Sequence, residues 1–419
     1  MADISKSLLE NGICVLTERM SNFRSISMGI WVNAGARDET EAENGISHFI
    51  EHMIFKGTAR RTASQIAKEF DAIGGASNAF TSKEITCFHA KVMDVHLPVM
   101  ADLLSDIFLN SVFDPVEIER ERQVVLQEIG MTEDTPDDYV HVLLSQVFWG
   151  SDHPLGRSVL GNDNTVSALD ASALKRYLSA SYIPERIVIS AAGNVEHKEF
   201  FDMLSNYFFE VPSRNGFPKR ISPLIKSMIS THPKDLEQVH ICLGVKGCDI
   251  TSSRRYVMSL LNTLFGGSMS SRLFQEVRER RGLAYSIYSF HSAYEETGML
   301  GVYAGVEQGS VDETISVILS EMKRLKKELI SAEELDAAKE HVTSQIHLAS
   351  ESTDSRMNRL AQNEMYFGRH IPLNEVIKGI NQVTPMDVIT LAEEAFQQTH
   401  FSAVFLGPIK SQGLKEVCL

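Results

Sequence analysis

Asp114-Pro115-Val116-Glu117-Ile118, running on to Gln127-Glu128-Ile129, has a counterpart in Ser331-Ala332-Glu333-Glu334-Leu335, running on to Ser344-Gln345-Ile346. Asp114 and Ser331 stand 217 positions apart, and so do Glu128 and Gln345. Asp114 suits an N-cap, Pro115 the first helical position, and Glu117 lies three residues beyond the cap as in a capping box. The stretch therefore predicts a helix over 115–130. Before each copy come an alternating strand and an apolar helix: 86–92 then 97–109, and 298–305 then 311–325. A repeat at this spacing predicts two copies of one α+β unit of about 200 residues. Each is expected to be an antiparallel-rich sheet covered on one face by helices.

Short apolar runs at 12–16, 25–32 and 186–193 read as further strands, the last fully apolar and so central. Prolines 212, 218 and 223 cluster with Gly216 among polar residues and mark a linker. The expected organisation is a domain over 1–213, a linker over 214–223 and a homologous domain over 224–419.

The chain has 419 residues, 43% hydrophobic and 23% charged, which excludes a disordered, collagen-like or coiled-coil chain. Its formal net charge is −15, which argues against nucleic acid as a partner. Five scattered cysteines with no Cys-x-x-Cys spacing suit a reducing compartment, with neither a disulfide framework nor a thiolate zinc site. The N-terminus lacks the pattern of a signal peptide, and no apolar run reaches the ~18 residues of a membrane span. The expected location is the cytoplasm; a mature organelle protein would read the same way.

The chemistry concentrates in His48-Phe49-Ile50-Glu51-His52. Ile46, Phe49, Ile50, Met53 and Ile54 make one apolar helical stripe. His48, Glu51 and His52, at i, i+3 and i+4, share another face. That spacing lets two imidazoles reach one metal with a carboxylate alongside, a donor set that suits zinc. With fourteen histidines in the chain, stray pairs are common; a glutamate between two of them on an apolar helix is harder to dismiss. A third ligand is sought on helix 115–130 among Glu117, Glu119, Glu121 and Glu128. Glu117 and Glu119 read as solvated charge. Glu128, between Leu126 and Ile129, reads as a buried carboxylate, which is costly unless paired or metal-bound. In the second copy Gln345 replaces Glu128, Ala338 replaces Glu121, and the His-x-x-Glu-His pattern is absent, so one copy keeps the metal chemistry.

His-x-x-Glu-His is the inverted zincin signature. The chain resembles the pitrilysin, insulysin and mitochondrial processing peptidase family, in particular its single-length bacterial members. The resemblance is carried by Gly45 to Thr58, Gly74-Gly75-Ala76-Ser77-Asn78-Ala79-Phe80-Thr81, Glu121 to Glu128, and Ser271-Arg272-Leu273-Phe274 through Arg281-Gly282-Leu283-Ala284-Tyr285-Ser286. It implies one zinc ion per chain on His48, His52 and Glu128. Glu51 is then the general base for zinc-activated water, and Glu121 supports a ligand from behind. It also implies an edge strand near residues 78–82 that takes an extended peptide as an added strand, with Asn78, Ala79 and Phe80 binding substrate. Phe55 resembles the residue lining the pocket after the scissile bond; as a plain core aromatic it reads equally well. Arg278 and Tyr285 resemble the family's substrate- and oxyanion-binding pair.

In such proteins two two-domain units form a clamshell, and Arg and Tyr come from the unit facing the zinc. One chain holds one such half, so the resemblance implies a homodimer with Arg278 and Tyr285 supplied in trans, acting on peptides. Asp137 keeps one acidic position of those that read an arginine upstream of the cut, while His141 stands at the second. The implied activity is that of a zinc endopeptidase. A non-catalytic scaffold of the same fold, or a subunit needing a different partner chain, is the alternative.

Overall fold

The structure is a computed structural model that describes residues 3–213 and 216–409. The remaining parts of the expected domains and linker, at 1–2, 214–215 and 410–419, lie outside the described residues. The chain begins with strands β1 (Asp3–Leu8), β2 (Cys14–Arg19) and β3 (Ser25–Val32), then helices α1 (Ile46–Ile54) and α2 (Ala63–Ala72). A hairpin of β4 (Ala76–Thr81) and β5 (Thr86–Met93) leads to α3 (Leu97–Asn110), α4 (Pro115–Asp134) and α5 (Pro136–Trp149). Helices α6 (Asp163–Ala168) and α7 (Ala171–Ser181), strand β6 (Ile187–Gly193) and α8 (His197–Phe208) close the first half. The second half runs β7 (Ile229–Pro233), β8 (Val239–Gly247), α9 (Arg255–Phe265), β9 (Ala284–Ala293), β10 (Gly298–Val306), α10 (Val311–Lys327) and α11 (Ala332–Ala349). It ends with α12 (Thr353–Phe367), α13 (Leu373–Gln382), α14 (Pro385–Ala395) and β11 (Ser402–Gly407).

One sheet has the order β1-β2-β6-β3-β5-β4 and the other β7-β11-β8-β10-β9. In the first, β2 and β6 are parallel and every other pair is antiparallel. In the second, β11 and β7 are parallel and every other pair antiparallel. Leaving out β1, the two sheets share one topology, with β4 and β9 at equivalent edges. Helix α11 begins 217 residues after α4, as the repeat requires.

The compact units do not follow the two sequence halves. One contains the residues up to Gly130, Ser158–Arg220 and Leu348–His370; the other contains Met131–Arg157, Ile221–His347 and the residues from Ile371 on. Helix α5 thus belongs with the second sheet and α12 with the first, and the expected boundary at 214–223 separates the strands but not these helices. The second face of each sheet is therefore covered too. In the first unit, Phe49, Ile50, Leu103, Leu104 and Val125 fill the core on the α1 side. On the opposite face Trp31, Cys87 and Val188 pack under Met357 and Leu360 of α12. Gly29 makes the close approach possible, since a Cβ there would lie 2.6 Å from Trp31 Nε1 and 3.2 Å from Met357 Sδ. Hydrogen bonds pin the helix: Ser190 Oγ donates to Met357 O at 3.2 Å, and Ser27 Oγ meets Thr353 Oγ1 at 2.8 Å. In the second unit Leu144, Val147 and Phe148 of α5 pack on Cys242 of β8 and Val404 of β11.

Candidate metal centre

Helix α1 is short and apolar on the side facing the first core, so Phe49, Ile50 and Met53 are all buried. Its start needs a glycine. Gly45, the N-cap, has φ 96°, and a Cβ there would lie 2.7 Å from Leu160 O and 2.8 Å from Gly161 Cα. On the other side of the helix the imidazoles of His48 and His52 stand with ring centroids 4.6 Å apart. One carboxylate oxygen of Glu128, on α4, lies 3.5 Å from His48 Nε2 and 3.4 Å from His52 Nε2. Two ligands each about 2.0–2.2 Å from a tetrahedral zinc stand about 3.3–3.6 Å apart, so the two His–Glu128 separations fit the ion. His48, His52 and Glu128 are the one group of metal-capable side chains found this close together among the described residues.

The protonation of the donors agrees. Burial, helped by neighbouring His52, pushes the His48 imidazole down to about 4, so it is neutral and able to ligate at neutral pH. His52 Nδ1 lies 3.2 Å from Glu121. A carboxylate only accepts, so Nδ1 carries the proton and Nε2 offers its lone pair on the Glu128 side. Lys56 Nζ holds the other Glu121 oxygen at 2.5 Å, which balances a carboxylate whose side chain is only 9% exposed. The sequence argument for Glu128 was burial, yet its side chain is 42% exposed and Glu121 is the buried one. Glu128 stands with the histidines because α4 carries it there, not because it is hidden.

Glu51 lies outside this donor set. Burial pushes its carboxyl above the ordinary carboxylate range; hydrogen bonds from Thr81 and the nearby His52 oppose the rise. Its Oε2 is buried with no hydrogen-bond partner. Thr81 ends β4, which pairs with β5 on one side only and forms the edge of its sheet. On that strand Asn78 is exposed and its Oδ1 accepts from the Ala79 N–H at 2.8 Å. Ala79 packs toward the α1 core, while Phe80 turns to the other face and meets Trp31 edge-on at 5.6 Å. Phe55 is half-buried against the same core.

The other expected residues belong to the second unit. Arg278, in a π-helical turn over Phe274–Glu279, holds its guanidinium 4.8 Å from the Phe274 ring and 4.7 Å from the Tyr285 ring. Arg278 and Tyr285 thus form a cation–π pair. Tyr285, at the start of β9, is 80% exposed. Asp137 is exposed in the first turn of α5. His141 sits one turn on, its Nε2 3.0 Å from Tyr288 Oη and its ring 4.8 Å from Phe290. Sequence reasoning gave no individual role to Lys56 or Thr81, which it met only within longer motifs, and none to Glu39, whose carboxylate meets the start of α1. Lys56 lies four residues after His52, a helical spacing that could have drawn attention to it; Glu39, inside Arg37-Asp38-Glu39-Thr40-Glu41, looks like surface charge.

No helix among the described residues is long and apolar enough to cross a membrane. Residues 14–163 match the family model described as insulinase, peptidase family M16, and residues 168–342 match that described as the peptidase M16 inactive domain. The chain is 41% identical over 401 residues to YmxG of Bacillus subtilis, an uncharacterized zinc protease, covering 96% of this chain and 98% of that one. It is 36% identical to an uncharacterized zinc protease of Streptomyces coelicolor, covering 98% of this chain and 90% of that one. Among solved structures, a protease from Helicobacter pylori superposes with a TM-score of 0.89 at 22% identity, covering 97% of this chain and 100% of that chain. A peptidase M16 inactive domain from Pseudomonas fluorescens also gives 0.89, at 18% identity, covering 98% of this chain and 99% of the other. At such identities the structures speak for the fold alone. The sequence relatives go further, and agreement of this length and identity makes the chain a member of the M16, or pitrilysin, family of peptidases.

Proposed function

We propose that the chain is a zinc-dependent endopeptidase that cuts unfolded peptides inside a closed chamber. The observation that carries this reading is the meeting of His48 Nε2, His52 Nε2 and one Glu128 oxygen on the helix face that also carries Glu51, whose Oε2 has no hydrogen-bond partner. Zinc on these three ligands supplies a Lewis acid that acidifies water and polarises a peptide carbonyl. Glu51, with an oxygen that nothing else occupies, takes the proton of the attacking water and passes it to the leaving amine. Its raised affinity for a proton suits both steps. Strand β4 receives the peptide as an added strand, so backbone hydrogen bonds bind it with little sequence selectivity. Arg278 and Tyr285, stacked and partly or fully exposed, have the charge and hydroxyl needed at a developing oxyanion. They reach the site from the second copy of a homodimer.

Metal analysis together with cleavage of a quenched peptide by the purified chain tests the reading. One zinc per chain and hydrolysis abolished by a chelator are expected. A zinc-replete chain that cuts no member of a diverse peptide library would make it a scaffold of the same fold. Equal cleavage of a stable folded domain and its unfolded form would remove the chamber.

A further inference from the structure

The N-terminus of α1 is secured in an unusual way. Its N-cap is Gly45, which has no side chain to bond the free N–H groups of the first turn. Glu39, six residues upstream and only 3% exposed, takes that role. One of its oxygens accepts from the Gly45 N–H at 2.8 Å and from Asn44 Nδ2 at 3.0 Å; the other accepts from the Ser47 N–H at 2.9 Å. Ser47 Oγ is in turn 2.9 Å from the Tyr177 hydroxyl of α7. A carboxylate is also the favourable charge at this end of the helix dipole.

We propose that Glu39 is the positioning residue of the metal-binding helix, holding the first turn of α1 so that His48 meets His52 and Glu128 at ligating separation. The proposal rests on the zinc-peptidase reading of the same site. Helix α1 has nine residues, and His48 lies in its first turn, the part that frays first. Its ring has no hydrogen bond from Nδ1 to hold it, in contrast to His52, whose Nδ1 is held by Glu121. The placement of His48 therefore depends on the backbone beneath it. Ser47, the residue next to it, is tied to Glu39 through its own N–H. Metal ligands tolerate misplacement of only about 0.5 Å, so a loosened turn is felt at the metal before it is felt by the fold.

The test is Glu39→Gln, which keeps the shape but turns an amide nitrogen toward an N–H donor. Zinc affinity is read by competition with a chromophoric chelator, and backbone hydrogen exchange over residues 45–52 is read on the zinc-free protein. Expected are about 10- to 100-fold weaker zinc binding, the range for partners that orient ligands, and faster exchange confined to the first turn of α1. At saturating zinc, kcat falls while KM for the peptide holds. Glu39→Asp, which keeps the charge one methylene short, should lie between; it is read instead if the Gln variant does not fold. Wild-type zinc affinity and wild-type exchange in the variant would overturn the proposal, whatever the change in melting temperature. A wild-type chain that binds no zinc would overturn the peptidase reading, and the exchange arm would still decide whether Glu39 holds α1.

Discussion

Replacing Glu51 with Gln separates chemistry from metal binding. The side chain keeps its length and its packing on α1, and it is not among the three donors around the metal position. What is lost is the proton acceptor. General base catalysis contributes about 10²–10⁴ in rate, which is about 2.7–5.4 kcal/mol of barrier at 1.36 kcal/mol per decade. The structure argues for the upper part of that range, since no second carboxylate is free: Glu121 is held by His52 and Lys56, and Glu128 faces the histidines. Folding should not suffer. The wild-type Oε2 is buried without a partner, and a neutral amide costs less there than a charge. The assay is steady-state cleavage of a quenched peptide by zinc-loaded protein, with zinc stoichiometry and thermal melts alongside. The expectation is kcat down at least ~10²-fold, one zinc still bound, and a zinc-free melting temperature no lower than wild type. A zinc-replete variant within tenfold of wild-type kcat would refute the role of Glu51.

Glu128→Gln should do the opposite, lowering zinc affinity measurably; unchanged affinity would move the third ligand elsewhere. If Arg278 and Tyr285 act in trans, co-refolding equal amounts of Glu51→Gln and Tyr285→Phe should restore about a quarter of wild-type activity. Mixed dimers make up half the population and carry one intact site each; no rescue, with mixed dimers confirmed by native mass spectrometry, would exclude the arrangement. Met357→Ala removes a fully buried side chain from under α12 and should cost about 2–5 kcal/mol in urea unfolding. Zinc affinity should hold, because the site lies on the other face of the sheet. Burial pushes the Glu39 carboxyl up to about 7, so the unfolded chain releases this proton first as pH rises. Stability of the zinc-free protein should therefore fall between the ordinary carboxylate value of about 4.3 and about 7. Tyr177 and Tyr182 nearby, both pushed up by burial, stay protonated throughout. Thermal melts against pH should show this decline in wild type and its loss in Glu39→Gln.

The parts of the site that were legible in the sequence are those set by local geometry. Helical spacing alone puts His48, Glu51 and His52 on one face, and the 217-residue offset singles out the copy with Glu128. The strands at 25–32 and 86–92 and the helices at 97–109 and 115–130 emerge within a few residues of their expected ends. Destination was not legible. Apolar periodicity shows that α5 and α12 each bury a face, but not which sheet receives it. Charge patterning also misled. Arg37, Glu39 and Glu84 sit in polar stretches that read as surface, yet each is 5% exposed or less. Arg37 pairs with Glu84, and Arg220, from the presumed linker, makes paired contacts with Asp38. Phe80 lies edge-on to Trp31, on the opposite side of its strand from Ala79, as the alternation of a strand requires.

The exchange of α5 and α12 sets a timetable for synthesis. The face of the first sheet that carries Trp31 and Cys87 is covered by residues 353–367. On a growing chain that face stays bare until most of the protein has been made. The unit with the metal ligands therefore cannot finish as an N-terminal domain ahead of the rest, the usual order when domains are consecutive. A ribosome stalled after the first 213 residues would hold an open sheet, with α5 lacking the strands β8 and β11 on which it packs. A chain assembled in this order completes the unit that carries His48, His52 and Glu128 only near the end of translation.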